Sequence, residues 1–450
     1  MLFSSLEFLF LFLPISVGVY FLLPLRAKNF WLLFSGLCFY GFGEPKFLPV
    51  MIITVLLNFC FGLIVFKYRQ RARLCKAFLW LAVAYNIFSL AYFKFFANEL
   101  PIGISFYTFQ ALSYVVDVYR TDAEVCRDPI SFGAYVSLYP QLVAGPIVRY
   151  SQIDGQLKAR EHSLSLMASG LRTFCAGLSK KVLLANMAGQ AWEFFAHQRG
   201  FADAYVGIFF FSMQIYFDFS GYSDMAVGLG RMFGFSFPQN FNYPYISKSI
   251  TEFWRRWHIT LSSFFREYVY IPLGGNRKGR FCTYRNLLLT WALTGIWHGA
   301  TLNFLVWGLY FALILVLEKA FLRRLLEGFP RIITRAYALA LIAVGWIIFV
   351  SDGDTLSASD GLLYALRLFG IGCSGFCSIE SSYEILRHLV FALILSLGAT
   401  PLPRRIYQRA LEHRGALSFI ALSVLPIIAF LISVAYIVNS GYNPFLYFRF

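Results

Sequence analysis

Apolar stretches of about twenty residues, separated by short loops that carry most of the positive charge, constrain this chain more than any other feature. About twenty consecutive apolar residues suffice to cross the hydrocarbon core of a bilayer as a helix. The clearest stretches run over roughly 5–25, 47–66, 77–96, 203–230, 336–351, 385–402 and 417–438. Residues 29–42, 102–118, 130–146 and 171–192 are shorter or more polar, and are expected to be tilted, broken or re-entrant. The total expected is about eleven membrane segments. Composition agrees: 58% of residues are hydrophobic and 14% charged, against about 45–50% and about 25% in soluble domains. The expected fold is an all-α polytopic membrane protein, residues 1–450 forming one domain with the bilayer as its main partner.

The formal net charge is +16, from 39 basic and 23 acidic residues. The basic residues sit in short loops between apolar spans, which is how cytoplasmic membrane loops are marked, so nucleic acid is not an expected partner. Lys67, Arg69, Arg71, Arg73 and Lys76 form the densest basic loop and place the end of the third span in the cytoplasm. Counting back puts Arg26 and Lys28 inside and the N-terminus outside. Counting forward puts the basic loops 319–335 and 404–414 inside, and loop 352–384 and the C-terminus outside. The eight cysteines show no CxxC pair and no zinc spacing; Cys373 and Cys377, in an outer loop, are read as two thiols rather than a strained disulfide. No basic run or cleavage site marks the N-terminus, so its first apolar stretch is expected to remain as a helix.

Three regions depart from simple spans. Pro140 and Gly145-Pro146 break any helix in LYPQLVAGPIVRY, because proline lacks the backbone donor and clashes with the preceding turn. Broken backbone at membrane depth is tolerated only beside a cavity or inside protein, so 139–149 reads as a pore-lining or re-entrant loop, or else as a loop at the membrane surface. Residues 231–285 mix aromatic, Pro, Gly and basic residues. Within them Ser249–Glu252 fits a capping box, and Ile250, Phe253, Trp254, Trp257, Leu261, Phe264, Phe265 and Tyr268 recur at helical spacing. That pattern predicts an amphipathic helix in the cytoplasmic interface, ending at Pro272 and Gly274-Gly275. Residues 286–318 are apolar for 33 residues with basic flanks at both ends, which predicts a helix hairpin broken near Gly295–Gly299.

Two of the six histidines, His258 and His298, lie among tryptophans next to or inside such apolar sequence. A histidine there is expensive unless partnered or used. Neutral imidazole is suited to taking a proton from a hydroxyl. For His298 the residues leave open a base or proton relay, a structural histidine bonded across helices, and a metal ligand. The last is disfavoured, since no further ligand stands at a diagnostic spacing. Thr294 and Thr301 share its helical face and Asn303 is near, so these could fix its tautomer. His258 taken alone also reads as an interfacial ring reaching toward headgroups. Asp218, with Ser220, Tyr222, Ser223 and Asp224, forms a polar cluster within a span; it either faces a cavity or pairs with Arg231, Arg255 or Arg256. Asp117 and Arg120 read as a helix-end pair. No GxSxG elbow, P-loop or dinucleotide fingerprint is present.

At WRRWHITLSSFFREYVYIPLGGNR, followed 40 residues after His258 by the histidine of GIWHGA, the chain resembles the membrane-bound O-acyltransferases. The likeness runs almost end to end and includes MLFSSLEFLFLFLP, PIGISFYTFQALSYVVDVYR, LYPQLVAGPIVRY, YFDFSGYSDMAVGLGRMFGF, FNYPYISKSITEFWRRWHITLS and NPFLYFRF. Within the family it is similar to the bacterial branch of alginate O-acetyltransferase membrane subunits and teichoic-acid D-alanyl transfer proteins. The first and last strings lean toward the alginate type. The resemblance implies a ring of helices around a thinned centre, with a funnel or tunnel reaching a catalytic histidine. His298 matches that histidine and His258 the second motif position. Trp297, Asn303, Thr294, Trp254, Trp257, Arg256, Asp218 and Tyr243 are the candidate substrate-path or supporting residues. The resemblance further implies no bound cofactor and a cytoplasmic thioester donor, acetyl-CoA or an acylated carrier. It also implies a place in the bacterial inner membrane, and periplasmic or membrane-anchored acetyltransferase partners that acetylate an exopolysaccharide. The competing expectations are D-alanyl transfer, and a transporter without covalent chemistry. Against the transporter, no inverted repeat is visible.

Overall fold

The computed structural model describes residues 1–97, 99–143, 145–352, 356–412 and 415–443; Arg414 and the closing string beyond Asn443 lie outside them. All regular structure among the described residues is helical. The helices Leu48–Lys67, Ala72–Phe95 and Arg331–Val350 fall on expected spans within a few residues. Among the described residues five helices are long and apolar enough to cross a membrane, or six if Ile379–Gly398 and Leu402–Glu412, bent by 67°, make one span. The expected figure of about eleven, and its arrangement as a ring, thus exceed what length and apolarity select. The difference has a physical origin in helices such as Ile104–Arg120, where 14 of 17 residues are buried. Its Ser105, Thr108, Gln110, Ser113 and Asp117 face protein rather than lipid, so it can be central to the bundle and still too polar to score as a span.

The predicted hairpin forms. Helix Gly279–His298 ends at the histidine, and Leu302–Leu317 returns beside it. Glycine makes this close approach possible: a Cβ on Gly295 would stand 2.3 Å from the Phe304 carbonyl oxygen, and one on Gly308 2.4 Å from that of Trp291. In the 139–149 stretch, Tyr139–Leu142 is a single turn, and Tyr139, Pro140, Gln141, Leu142, Ile147 and Val148 are buried. These residues are therefore enclosed by protein, not spread on a surface.

The interfacial helix does not form as expected. It is split into Ile250–Arg256 and Ile259–Phe265, with His258 between them at φ 42°. Ile250, Phe253, Trp254, Trp257, Leu261, Phe264 and Phe265 are buried in the protein core. The apolar stripe correctly marked a covered face, but periodicity does not say whether protein or headgroups cover it. A second reason is tertiary. The buried Glu318 carboxylate accepts from the backbone N–H of Ile250 (2.7 Å) and Thr251 (2.8 Å), and from the hydroxyls of Thr251 (2.6 Å) and Tyr337 (3.2 Å). A buried carboxylate on the first N–H groups docks this short helix into the bundle. The capping box is half made: Ser249 Oγ accepts from Glu252 N–H at 3.0 Å, while the Glu252 carboxylate takes the N–H of Lys248 at 2.9 Å.

Several of the basic loops meet. The guanidiniums of Arg69 and Arg127 both lie over Phe66, Lys158 pairs with Glu124 at 2.6 Å, Arg120 donates to the Glu267 carbonyl at 3.1 Å, and Lys319 reaches Asn276 at 2.8 Å. Elsewhere, Phe201 and Ala202 N–H bond the carbonyls of Gly375 and Phe376, and Asn443 bonds Ser4. All eight cysteines, Cys373 and Cys377 included, are free thiols.

Candidate active site

His298 is the last residue of its helix and is only 3% exposed. Aromatic rings wall it: Trp297 at 4.8 Å between centroids, Trp307 at 4.9 Å and Phe349 at 5.5 Å, all edge-on. Lys94 Nζ donates to the Trp297 carbonyl and sits 5.6 Å from the centroid of its indole. A cation on a C-terminal carbonyl satisfies a group the helix itself cannot.

His258, 1% exposed, occupies the break between its two short helices. Its ring meets Phe219 edge-on at 4.6 Å and Trp297 at 6.4 Å. The indole of Trp297 therefore packs against both histidines, which bring 40 residues of sequence separation down to the width of one side chain. Nδ1 of His258 lies 3.1 Å from Asn240 Oδ1, which also accepts from Thr260 N–H (3.2 Å) and Thr260 Oγ1 (2.9 Å). Thr260 Oγ1 in turn accepts Ile147 N–H at 3.0 Å, so the buried 139–149 stretch is tied to the same network.

Of the candidate supporting residues, Trp254 and Trp257 are in the buried aromatic cluster. Trp254 packs on Trp307 at 5.6 Å, one ring removed from His298, and Trp257 on Trp346 at 4.9 Å. The others have different occupations. Thr294 donates to the Thr290 carbonyl within its own helix at 2.8 Å, and Asn303 donates to the carbonyls of Ile348 and Phe349, tying two helices together. These bonds tie Thr294 to its own helix and Asn303 to the neighbouring one. Arg256 is paired with Glu252 at 2.8 Å and with the Asn242 carbonyl. Asp218 pairs with Lys181 at 2.9 Å, both nearly inaccessible. Tyr243 is half-buried with a left-handed backbone (φ 48°) at the start of a short turn. Asp117 accepts from Tyr268 Oη (2.5 Å) and Ser151 N–H, and Arg120 bonds elsewhere, so these two are not a helix-end pair.

The residues that sequence reasoning missed are Asn240, Thr260, Lys94, Trp307 and Phe349. Two had a signal available: Asn240 as a polar residue in the dense Pro- and Phe-rich loop before the helix, and Lys94 as a charge inside the apolar stretch 77–96. Among the described residues no three His, Cys, Asp or Glu side chains group as metal ligands.

The family model for membrane-bound O-acyltransferases matches residues 34–350. The chain is 37% identical, over all of both chains, to proteins named probable alginate O-acetylase AlgI from Azotobacter vinelandii and from Pseudomonas putida. It is 34% identical to the peptidoglycan O-acetyltransferase of Helicobacter pylori over 78% of this chain and 77% of that one. A family match over most of the chain, with full-length identity at this level, leaves one conclusion: this multi-pass membrane protein is an O-acyltransferase and belongs to the membrane-bound O-acyltransferase family.

Proposed function

We propose that the protein moves an acetyl group from a cytoplasmic thioester, acetyl-CoA or an acylated carrier, across the bacterial inner membrane for O-acetylation of an extracytoplasmic polysaccharide of the alginate type. The single observation that carries the reading is the convergence of His258 and His298 on Trp297 within a buried aromatic cluster. In this reading His298 takes the proton of the acceptor hydroxyl as its oxygen attacks the thioester carbonyl. The carbon–sulfur bond breaks, the thiolate leaves and collects a proton, and an ester remains. General-base help of this kind is worth about 10²–10⁴-fold, with positioning of donor and acceptor adding to it. Burial keeps bulk water away from the reacting carbonyl, which favours transfer over hydrolysis. The basic loops face the cytoplasm and the N-terminus lies outside, and a secreted or membrane-anchored acetyltransferase receives the group.

The relatives named teichoic acid D-alanyltransferase are less similar, 28% identical over 49% of this chain for that of Bacillus subtilis, so acetyl transfer is preferred to D-alanyl transfer. The test uses purified protein in nanodiscs with labelled acetyl-CoA and, in parallel, an acetylated carrier protein, with the partner acetyltransferase as acceptor and oligomannuronate as its final substrate. His298→Ala is expected to abolish ester formation while thermal unfolding and membrane insertion stay as in the wild type. Normal acetylation in that variant would overturn the role of His298.

A further inference from the structure

We propose that Asn240 is a positioning residue that holds the neutral ring of His258 as its Nδ1–H tautomer, leaving Nε2, on the far side of the ring from Asn240, as its acceptor nitrogen. The two ends of an asparagine amide are alike in shape, so their assignment has to come from the hydrogen-bond partners. Here the partners decide it. The backbone N–H of Thr260, 3.2 Å away, can only donate, so the atom it meets is the amide oxygen. Thr260 Oγ1 accepts Ile147 N–H and so directs its own proton to the same oxygen at 2.9 Å. That oxygen has only lone pairs to offer. The bond from His258 Nδ1 at 3.1 Å therefore requires a proton on Nδ1. A neutral imidazole carries a single N–H, so Nε2 is the nitrogen that can accept.

The main chain supports the same assignment. Ile259 N–H bonds the Asn240 carbonyl, and Asn242 N–H bonds the Arg256 carbonyl, each at 2.9 Å. These two bonds straddle His258 and hold its left-handed backbone, φ 42°, which a non-glycine residue adopts only when its surroundings impose it. Asn240 thus grips the turn by its backbone and the ring by its side chain. A ring partner that fixes the tautomer is as much a part of a histidine site as the histidine itself.

The test reads the ring nitrogens directly. The pair His258–Ile259 occurs once in the chain, so labelling histidine carbonyl carbon and ring nitrogens together with isoleucine amide nitrogen assigns the His258 signals in the full-length wild type. Solid-state NMR is expected to show Nδ1 protonated and Nε2 bare; a bare Nδ1 would overturn the proposal. In Asn240→Leu the ring should redistribute toward the Nε2–H form, with kcat for acetyl transfer falling about 100-fold and KM nearly unchanged. Asn240→Asp, which keeps an oxygen acceptor, should restore the wild-type tautomer and most of kcat. An unchanged tautomer in Asn240→Leu, or a loss in Asn240→Asp equal to that in Asn240→Leu, would also overturn it. The kcat arm rests on the acyl-transfer reading above, whereas the spectrum does not. Wild-type Nδ1–H together with undiminished acetylation by His258→Gln and Asn240→Leu would overturn the positioning role and that reading's use of His258, while the tautomer assignment would stand.

Discussion

Lys94 and His298 meet at the end of one helix, and the geometry there makes a residue-scale prediction. The lysine amine donates to the carbonyl of Trp297, the residue just before His298, and lies by its indole. Removing it leaves that carbonyl unsatisfied in a dry setting, where a lost hydrogen bond to a charged group is worth about 1.5–3 kcal/mol. Lys94→Met, similar in length but without the donor, should therefore loosen the turn carrying His298 and lower kcat roughly tenfold or more. Steady-state acetyl transfer with thermal unfolding as a control checks this; wild-type kcat would show that the cap is dispensable. At this scale the two histidines were legible because a polar ring within apolar sequence stands out. Their partners were not. Asn240 acts across 18 residues with no periodicity to announce it, and Trp307 and Phe349 look like lipid-facing bulk in a chain with 51 phenylalanines. Thr294 lies four residues before His298 on its helix, but a threonine in a helix readily bonds the carbonyl four residues back, and sequence does not show that choice.

At the scale of elements, two devices hold the site segments in place. One is the glycine seam of the hairpin. With a Cβ at Gly295 only 2.3 Å from the Phe304 carbonyl oxygen, Gly295→Leu must force the two helices apart. The expected result is loss of about 2 kcal/mol or more and of acetyl transfer, read by detergent unfolding and by the transfer assay. The same substitution at Gly18, which has open space around it, should be tolerated. The other device is Glu318, whose carboxylate takes two N–H groups and two hydroxyls. Glu318→Ala orphans the start of the Ile250–Arg256 helix and should lower stability by about 3 kcal/mol; a melting temperature equal to the wild type would refute the cap. The hairpin was legible because its 33 apolar residues exceed one span and its flanks are both basic. The split at His258 was not, because the bonds that impose it come from Asn240 and Glu318, 18 and 60 residues away from the histidine in sequence.

For the molecule as a whole, the informative feature is which distant loops meet one another. Loops far apart in sequence, around residues 69, 127, 158, 267, 276 and 319, interlock, and the chain termini meet through Asn443, while Tyr442 bonds Glu193. Packing thus brings together several loops that the count of basic residues assigns to one face. Packing and count both follow from the same constraint, since each span must deliver its flanking loops to opposite faces. Helices that are buried on all sides were the part least legible, because in them polar residues satisfy one another and the apolar signal fades, as in Ile104–Arg120. The orientation makes a prediction that needs no activity. In a variant lacking the native cysteines, Ser374→Cys, exposed in the expected outer loop, should react with a membrane-impermeant maleimide applied to spheroplasts. Lys278→Cys, exposed in a basic loop, should react only after the membrane is opened. The opposite pattern would invert the protein in the membrane, and with it the direction in which the acetyl group is proposed to travel.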